Sequence, residues 1–213
     1  MTKPAKKQPA GLSHDAICTA ALRLIDREGL DDFSLRKLGK LLGCEAMAIY
    51  WYYESKDAVL DAVVDKLTEK LTAVVAGRDA RDWITVLREV AHAYRRIALD
   101  HPMSFPLLAT RRFASEGTYA FMEQLFELAR RANIDDEIAA RFYRVVSSYC
   151  NGFALNELAT LTSQRGASTR TAALRKKYPR VAEVSEFLEP RYLDDMFEFG
   201  LELQLKALAQ ATR

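Results

Sequence analysis

Tyr50, Tyr52 and Lys56 stand within one short stretch of the sequence, and hydroxyls and an ammonium are groups that donate hydrogen bonds to phosphate oxygens. They belong to an aromatic run, Tyr50-Trp51-Tyr52-Tyr53, that a helix cannot bury whole, because successive residues point about 100° apart. Ile49 and Tyr53, four apart, share the inner face; Trp51 falls at the edge, and Tyr50 and Tyr52 are left pointing outward. Ser55 is placed to cap the helix that follows. Lys56 then sits in that helix's first turn, beside N–H groups that already favour an anion. Upstream, Arg36 is the side chain suited to reading a base, since a guanidinium bonds guanine O6 and N7 bidentately. A solvated arginine on an amphipathic helix is the alternative. Ala46, Met47 and Ala48 offer apolar contact to thymine methyls, which leaves affinity to phosphate contacts through Tyr50, Tyr52, Lys56 and Lys37.

The elements that must position these groups are two amphipathic segments, Leu35–Leu42 and Glu45–Tyr52, separated by Gly43-Cys44. Leu35, Leu38, Leu41 and Leu42 follow the three-and-four spacing of one helical face. Ser34 is the N-cap of the first segment, and Gly43 ends it where positive φ is needed. A second short helix leaving such a turn makes a helix-turn-helix, whose second helix fits a major groove. A first helix from Ser13 to Glu28 carries Ile17, Ala20, Ala21, Leu24 and Ile25 on its stripe and stops at Gly29. A long helix from Ser55 to about Ala76 serves as a strut, with Leu60, Val63, Val64, Leu67, Leu71 and Val74 inward.

Gly43, Cys44, Ile49, Tyr50, Tyr52, Lys56, Val59 and Leu60 together reproduce the signature of the tetracycline-repressor (TetR/AcrR) family, which this stretch resembles. The resemblance implies an all-α chain. Its N-terminal three-helix helix-turn-helix DNA-binding domain is joined by a long helix to a C-terminal helical bundle that dimerises. The expected divisions are a disordered basic arm over 1–12, the DNA-binding domain over 13–60 and an effector-binding and dimerisation domain over 61–213. The DNA-contacting set it implies is Ser34, Arg36, Lys37, Glu45, Ala46, Met47, Ala48, Tyr50, Trp51, Tyr52 and Lys56. The partners it implies are a double-stranded DNA operator, a small-molecule effector and a second copy of the chain.

The whole chain fits that frame without proving it. Its 213 residues are 49% hydrophobic and 28% charged, the balance of a soluble globular protein. A formal net charge of only +2 means that any DNA-binding surface is local. The arm's Lys3, Lys6 and Lys7 fit either a minor-groove contact or a solubilising leader. No apolar run reaches membrane length and no signal h-region is present, so the expected location is cytoplasmic. Cys18, Cys44 and Cys150 are far apart and lack zinc spacing, which reads as small hydrophobes in a reducing compartment. His14, His92 and His101 are not spaced for metal, and neither a phosphate loop nor a nucleophile motif occurs. No cofactor, metal or catalytic residue is expected. A helical-bundle enzyme is the distant alternative, and a family member that activates or needs no effector is the nearer one.

From Asp82 the pattern is helical almost throughout, with breaks at His101-Pro102 and a polar stretch from Thr162 to Tyr178. The aromatics of this part read mainly as core. By resemblance, an effector pocket is expected among His92, Phe105, Leu108, Phe121, Tyr149, Phe153, Asn156 and Glu157. Leu108 stands where drug–magnesium-binding members use a histidine, which speaks against tetracycline–magnesium as effector. The helices over Asp136–Leu161 and Pro190–Leu208 are apolar on more than one side, which marks elements either central in their own domain or pressed against a partner. The resemblance implies the second, because the family pairs such late helices across a two-fold axis. Phe142, Val146, Tyr149, Phe197, Leu201 and Leu205 are the expected dimer contacts.

Overall fold

Helix-forming stripes closed by serine caps and glycine stops dominate the computed structural model, which describes residues 12–111, 115–163 and 177–212. The basic arm up to residue 11 and most of the Thr162–Tyr178 loop lie outside the described residues. In order come α1 (His14–Glu28), α2 (Leu35–Leu42), α3 (Ala46–Ile49), α4 (Lys56–Val75) and α5 (Trp83–Asp100). They are followed by α6 (Phe105–Arg111), α7 (Glu116–Arg131), α8 (Asp136–Ser163), α9 (Pro179–Val184) and α10 (Leu193–Ala211). Short 3-10 turns precede α5 and α10, and the described residues contain no strand. None of these helices is long and apolar enough to cross a membrane.

The caps follow from local chemistry. Ser13, Ser34 and Ser55 each accept an N–H three residues on, from Ala16, Lys37 and Ala58. Asp135 accepts from Glu137 and Ile138 at the head of α8. Two helix starts differ from the sequence reading. The helical start expected at Asp82 is a 3-10 turn over Ala80–Asp82 capped by Asp79, and Pro190 opens a 3-10 turn, so α10 begins at Leu193.

The chain divides into two compact units, residues up to 73 with 101–124, and 74–100 with 125 onward. In the first, Ile17, Leu24 and Ile25 of α1 bury with Phe33, Leu38, Ile49, Val63, Val64 and Leu67. Phe105, Leu107 and Leu108 of α6 are also fully buried. Leu41 of α2 is exposed although its spacing assigned it to the inner face. Arg111 binds Asp61 at 3.0 Å and Asp57 at 2.5 Å, and the Gly117 N–H donates to Asp65 at 2.7 Å. The acidic edge Asp57-Asp61-Asp65 of α4 is therefore held by the end of α6 and the start of α7.

In the second unit α5, α8 and α10 pack together. The pairs Arg88–Glu202, His92–Glu198 and Arg95–Asp194 run in opposite numerical order, so α5 and α10 lie antiparallel. Phe197, Leu201 and Leu205 are buried in this chain's own core, as is Val146. That corrects their assignment as dimer contacts, because side chains with at most 6% exposure have almost no area to offer a second copy. Phe142 and Tyr149 are half-buried, and Tyr149 Oη donates to the Phe197 carbonyl at 2.9 Å. The large apolar residues that α8 and α10 leave outward are instead Val145, Leu155, Leu161, Phe199 and Leu203.

All three cysteines are free thiols. Burial pushes Cys18 up to about 11 and Cys150 up to about 12, and it raises Cys44 as well, which disfavours the reactive thiolate in each.

One tight spot sets the angle between α2 and α3. An added Cβ on Gly39 would sit 2.8 Å from the Cys44 carbonyl oxygen and 3.1 Å from the Ala46 nitrogen, both backbone atoms. Gly39→Ala is therefore expected to cost about 1–3 kcal/mol, the usual range for forcing atoms into a closed core, read as a lower urea midpoint at unchanged slope.

Candidate nucleic-acid interface

The turn between α2 and α3 is built by two glycines. Gly43 takes φ +68°, and the Cys44 N–H reaches back to the Gly39 carbonyl at 2.9 Å, the closing bond of a left-handed helix stop. Helix α3 is a single turn of four residues. The chain then coils on without regular α-helix, with Tyr52 and Tyr53 N–H groups both bonded to the Ile49 carbonyl. The expected helix over Glu45–Tyr52 is thus only half regular. Its inward anchor is Ile49, which is fully buried.

This arrangement presents donors unequally. Tyr50 is 48% exposed, and its hydroxyl has no hydrogen-bond partner among the described residues. Tyr52 is different: its Oη donates to the Leu12 carbonyl at 2.9 Å. Its only proton is spent inside the chain, so the expected outward donor at Tyr52 is corrected to a tether for the start of α1. Tyr53 does the same for His14 at 3.0 Å, and the His14 ring stands edge-on to both tyrosines at 5.3 and 5.0 Å. Sequence spacing could not reveal this, because the acceptors lie about forty residues away.

Lys56 Nζ donates to the Phe33 carbonyl at 2.8 Å, with its charge 5.5 Å from the Phe33 ring centre. That bond uses one of three donors and fixes the ammonium beside the first turn of α4, leaving two donors for an anion. Ser34 accepts from Lys37 N–H at 3.3 Å and keeps its own proton for donation. Lys37 pairs with Glu28 at 3.0 Å and Asp32 at 3.7 Å, and Arg27 and then Lys37 hold the Glu28 carboxyl below its ordinary value. Such exposed pairs are weak enough to be traded for a phosphate. Arg36 and Lys40 are exposed and make no ion pair among the described residues. Lys40 was not singled out from the sequence, yet it lines a surface hollow of about 390 Å³ with Arg27, Lys37 and Leu41.

The outer side of α3 is apolar. Met47 is 66% exposed, Ala46 and Ala48 are half-buried, and Glu45 and Trp51 are exposed.

The expected pocket residues are divided between the two units. Phe105, Leu108 and Phe121 are core residues of the first unit, and Asn156 is exposed on the second. His92, Tyr149, Phe153 and Glu157 do share the second unit, where the His92, Tyr149 and Phe153 rings pack against Phe197. Glu157 is buried and receives two bonds from Arg95, at 2.8 and 2.6 Å. Arg95 was missed. It falls on an otherwise apolar stripe of α5, and only the three-dimensional packing gives it partners. Among the described residues no group of three or more His, Cys, Asp or Glu is placed to hold a metal ion.

Two family models match the chain: "Bacterial regulatory proteins, tetR family" over residues 17–63 and "Tetracyclin repressor-like, C-terminal domain" over 76–211. An HTH-type transcriptional regulator of Saccharopolyspora erythraea is 31% identical over 162 residues, which is 76% of this chain and 67% of the relative. The HTH-type transcriptional repressor Rv1353c of Mycobacterium tuberculosis is 28% identical over 174 residues, 80% of this chain and 67% of that protein. The crystal structure of a possible TetR family transcriptional regulator from Streptomyces coelicolor superposes with a TM-score of 0.76 at 27% identity, covering 94% of this chain and 100% of that one.

The unequal tyrosines yield a direct check. Tyr52→Phe deletes a tether and is expected to lower stability by about 1 kcal/mol, whereas Tyr50→Phe leaves it unchanged, both measured by urea unfolding.

Proposed function

The chain belongs to the tetR family of bacterial regulatory proteins and is a DNA-binding transcriptional regulator, and on that premise we propose that it is a repressor released from a palindromic operator by a small molecule. The observation that carries this reading is the cluster of free donors around an exposed helix-turn-helix. Tyr50 Oη, the Ser34 hydroxyl, two Lys56 protons, Arg36 and Lys40 can all meet a sugar–phosphate backbone beside the apolar face of α3. In this reading Arg36 reads a guanine, and Met47 with the two alanines contacts thymine methyls. Lys37 joins the phosphate grip by exchanging its carboxylate partners, while Glu45 and Trp51 flank it. A relative named as a repressor supports the direction of regulation.

The dimer follows from a surface correction. Val145, Ser148, Gly152, Leu155 and Ala159 are outward or half-buried on α8 at alternating three- and four-residue steps, the spacing of a helix seam. On α10, Phe199 and Leu203 are 69% and 55% exposed, one turn apart. A second copy laid across this face would bury both stripes and set two heads about one DNA turn apart. The grip of Arg111 and Gly117 on α4 supports the coupling to effector. Both belong to the region matching the repressor-like C-terminal model, yet both hold the helix that begins at Lys56. An effector that shifts this segment would shift Lys56, a coupling of about 1–3 kcal/mol.

The experiment is selection of bound sequences from a random duplex pool followed by gel shift across salt. The expected product is a rough palindrome whose affinity falls steeply with salt. Lys56→Ala is expected to weaken all duplexes alike and to reduce the log–log salt slope by about 1, while Arg36→Ala relaxes preference at one base pair. Leu203→Arg is expected to give a monomer in sedimentation, with DNA affinity lost in step. Binding that ignores sequence and salt, or a dimer untouched by Leu203→Arg, would contradict the reading.

A further inference from the structure

We propose that Arg95 is the recognition point for a carboxylate on a flat apolar molecule, which names the chemical class of the effector and so rests on the regulator reading above. A guanidinium presents two edges, Nε with Nη2 and Nη1 with Nη2, each matched to a carboxylate by two parallel N–H bonds. In Arg95 the first edge is full: Nε and Nη2 donate to the two Glu157 oxygens at 2.8 and 2.6 Å. The second edge is half full. Nη2 donates to Asp194 at 2.6 Å, and Nη1 makes no hydrogen bond among the described residues.

The two carboxylates that serve Arg95 differ in kind. Glu157 is buried, so its partnership is fixed and keeps the guanidinium from being an unpaired buried charge. The Asp194 side chain is 87% exposed, against 10% for Arg95, so one arm of the pair stands in water and is replaceable at little cost. A ligand carboxylate arriving there takes Nη1 and Nη2 together, filling a donor that Asp194 leaves empty. Arg95 with Glu157 is already neutral, and Asp194 adds a further negative charge beside them, which favours a single negative charge over a dianion.

The surroundings set the rest of the ligand. The guanidinium carbon lies 5.6 Å from the Phe153 ring centre and 5.0 Å from that of Phe197. Those rings stand edge to face at 5.2 Å, and Tyr149 stacks on Phe197 at 5.7 Å. Phe197 itself is fully buried, so the surface these rings offer a ligand is that of half-buried Phe153 and Tyr149, which suits an aromatic body beside a charged anchor. Arg95 comes from α5, Glu157 and Phe153 from α8, and Asp194 and Phe197 from α10, so occupancy would be felt by three helices at once.

The test titrates the full chain with benzoate, 1-naphthoate and anthracene-9-carboxylate beside their neutral carboxamides, read by calorimetry. At least one carboxylate is expected to bind about tenfold or more tightly than its amide, since an amide cannot accept both bonds. Asp194→Ala, which removes the resident arm, is expected to tighten that carboxylate and leave the amide unchanged, an effect that a purely structural ion pair would not give. Arg95→Gln erases the difference between the two. Equal affinity for acid and amide, weaker binding after Asp194→Ala, or no binding of any carboxylate overturns the proposal. Gel shifts without probe separate the readings: failure of the wild type to bind any duplex contradicts the regulator and leaves the carboxylate site to its own titration.

Discussion

Two backbone segments approach so closely at Gly39 that only a missing side chain lets them pass, and the geometry of the head depends on that contact. With Gly39 against the Cys44 carbonyl and Gly43 in the left-handed region, α3 leaves α2 at one angle only. Ile49 then locks α3 against the core, and those three residues together place Ala46, Met47, Ala48 and Tyr50. Helix α3 is too short to hold itself by its own hydrogen bonds. Its position is a tertiary effect, and a rigid one.

The donors around it are distributed by their other partners. Tyr52 and Tyr53 bind the start of α1 and stiffen the platform, while Tyr50 keeps its proton. Lys56 is oriented by the Phe33 carbonyl before any ligand arrives, so little side-chain freedom remains to be lost on binding. A flexible lysine would bring the same charge at a larger entropic cost. The acidic edge of α4 then ties this platform to α6 and α7 through Arg111 and Gly117, the contacts on which the proposed coupling to Lys56 rests.

Much of this was legible in the sequence, because capping serines, stop glycines and three-and-four spacing act within a few residues. Ser13, Ser34, Ser55, Gly29 and Gly43 stand where local chemistry places them. Two kinds of fact were not legible. Hydrogen bonds such as Tyr52 to Leu12, or Arg95 to Glu157, join residues far apart in the chain, and no periodicity encodes them. A helix apolar on two sides does not say which side faces its own core. In α10 the stripe Phe197-Leu201-Leu205, expected against a second copy, turned inward, and Phe199 and Leu203 are the ones left outward. Gly39 escaped notice because a glycine inside a helix reads as a weakness until its neighbour is seen.

The central claim is that a glycine-set helix-turn-helix grips phosphates on both sides of a groove, twice, in a two-fold complex. Ethylation interference on the selected duplex tests it most directly, since each modified phosphate reports one lost contact. The account predicts symmetric clusters of sensitive phosphates on the two strands, with centres about one helical turn apart, or about 10 base pairs. Interference confined to one half-site, or absent along the whole duplex, would contradict it.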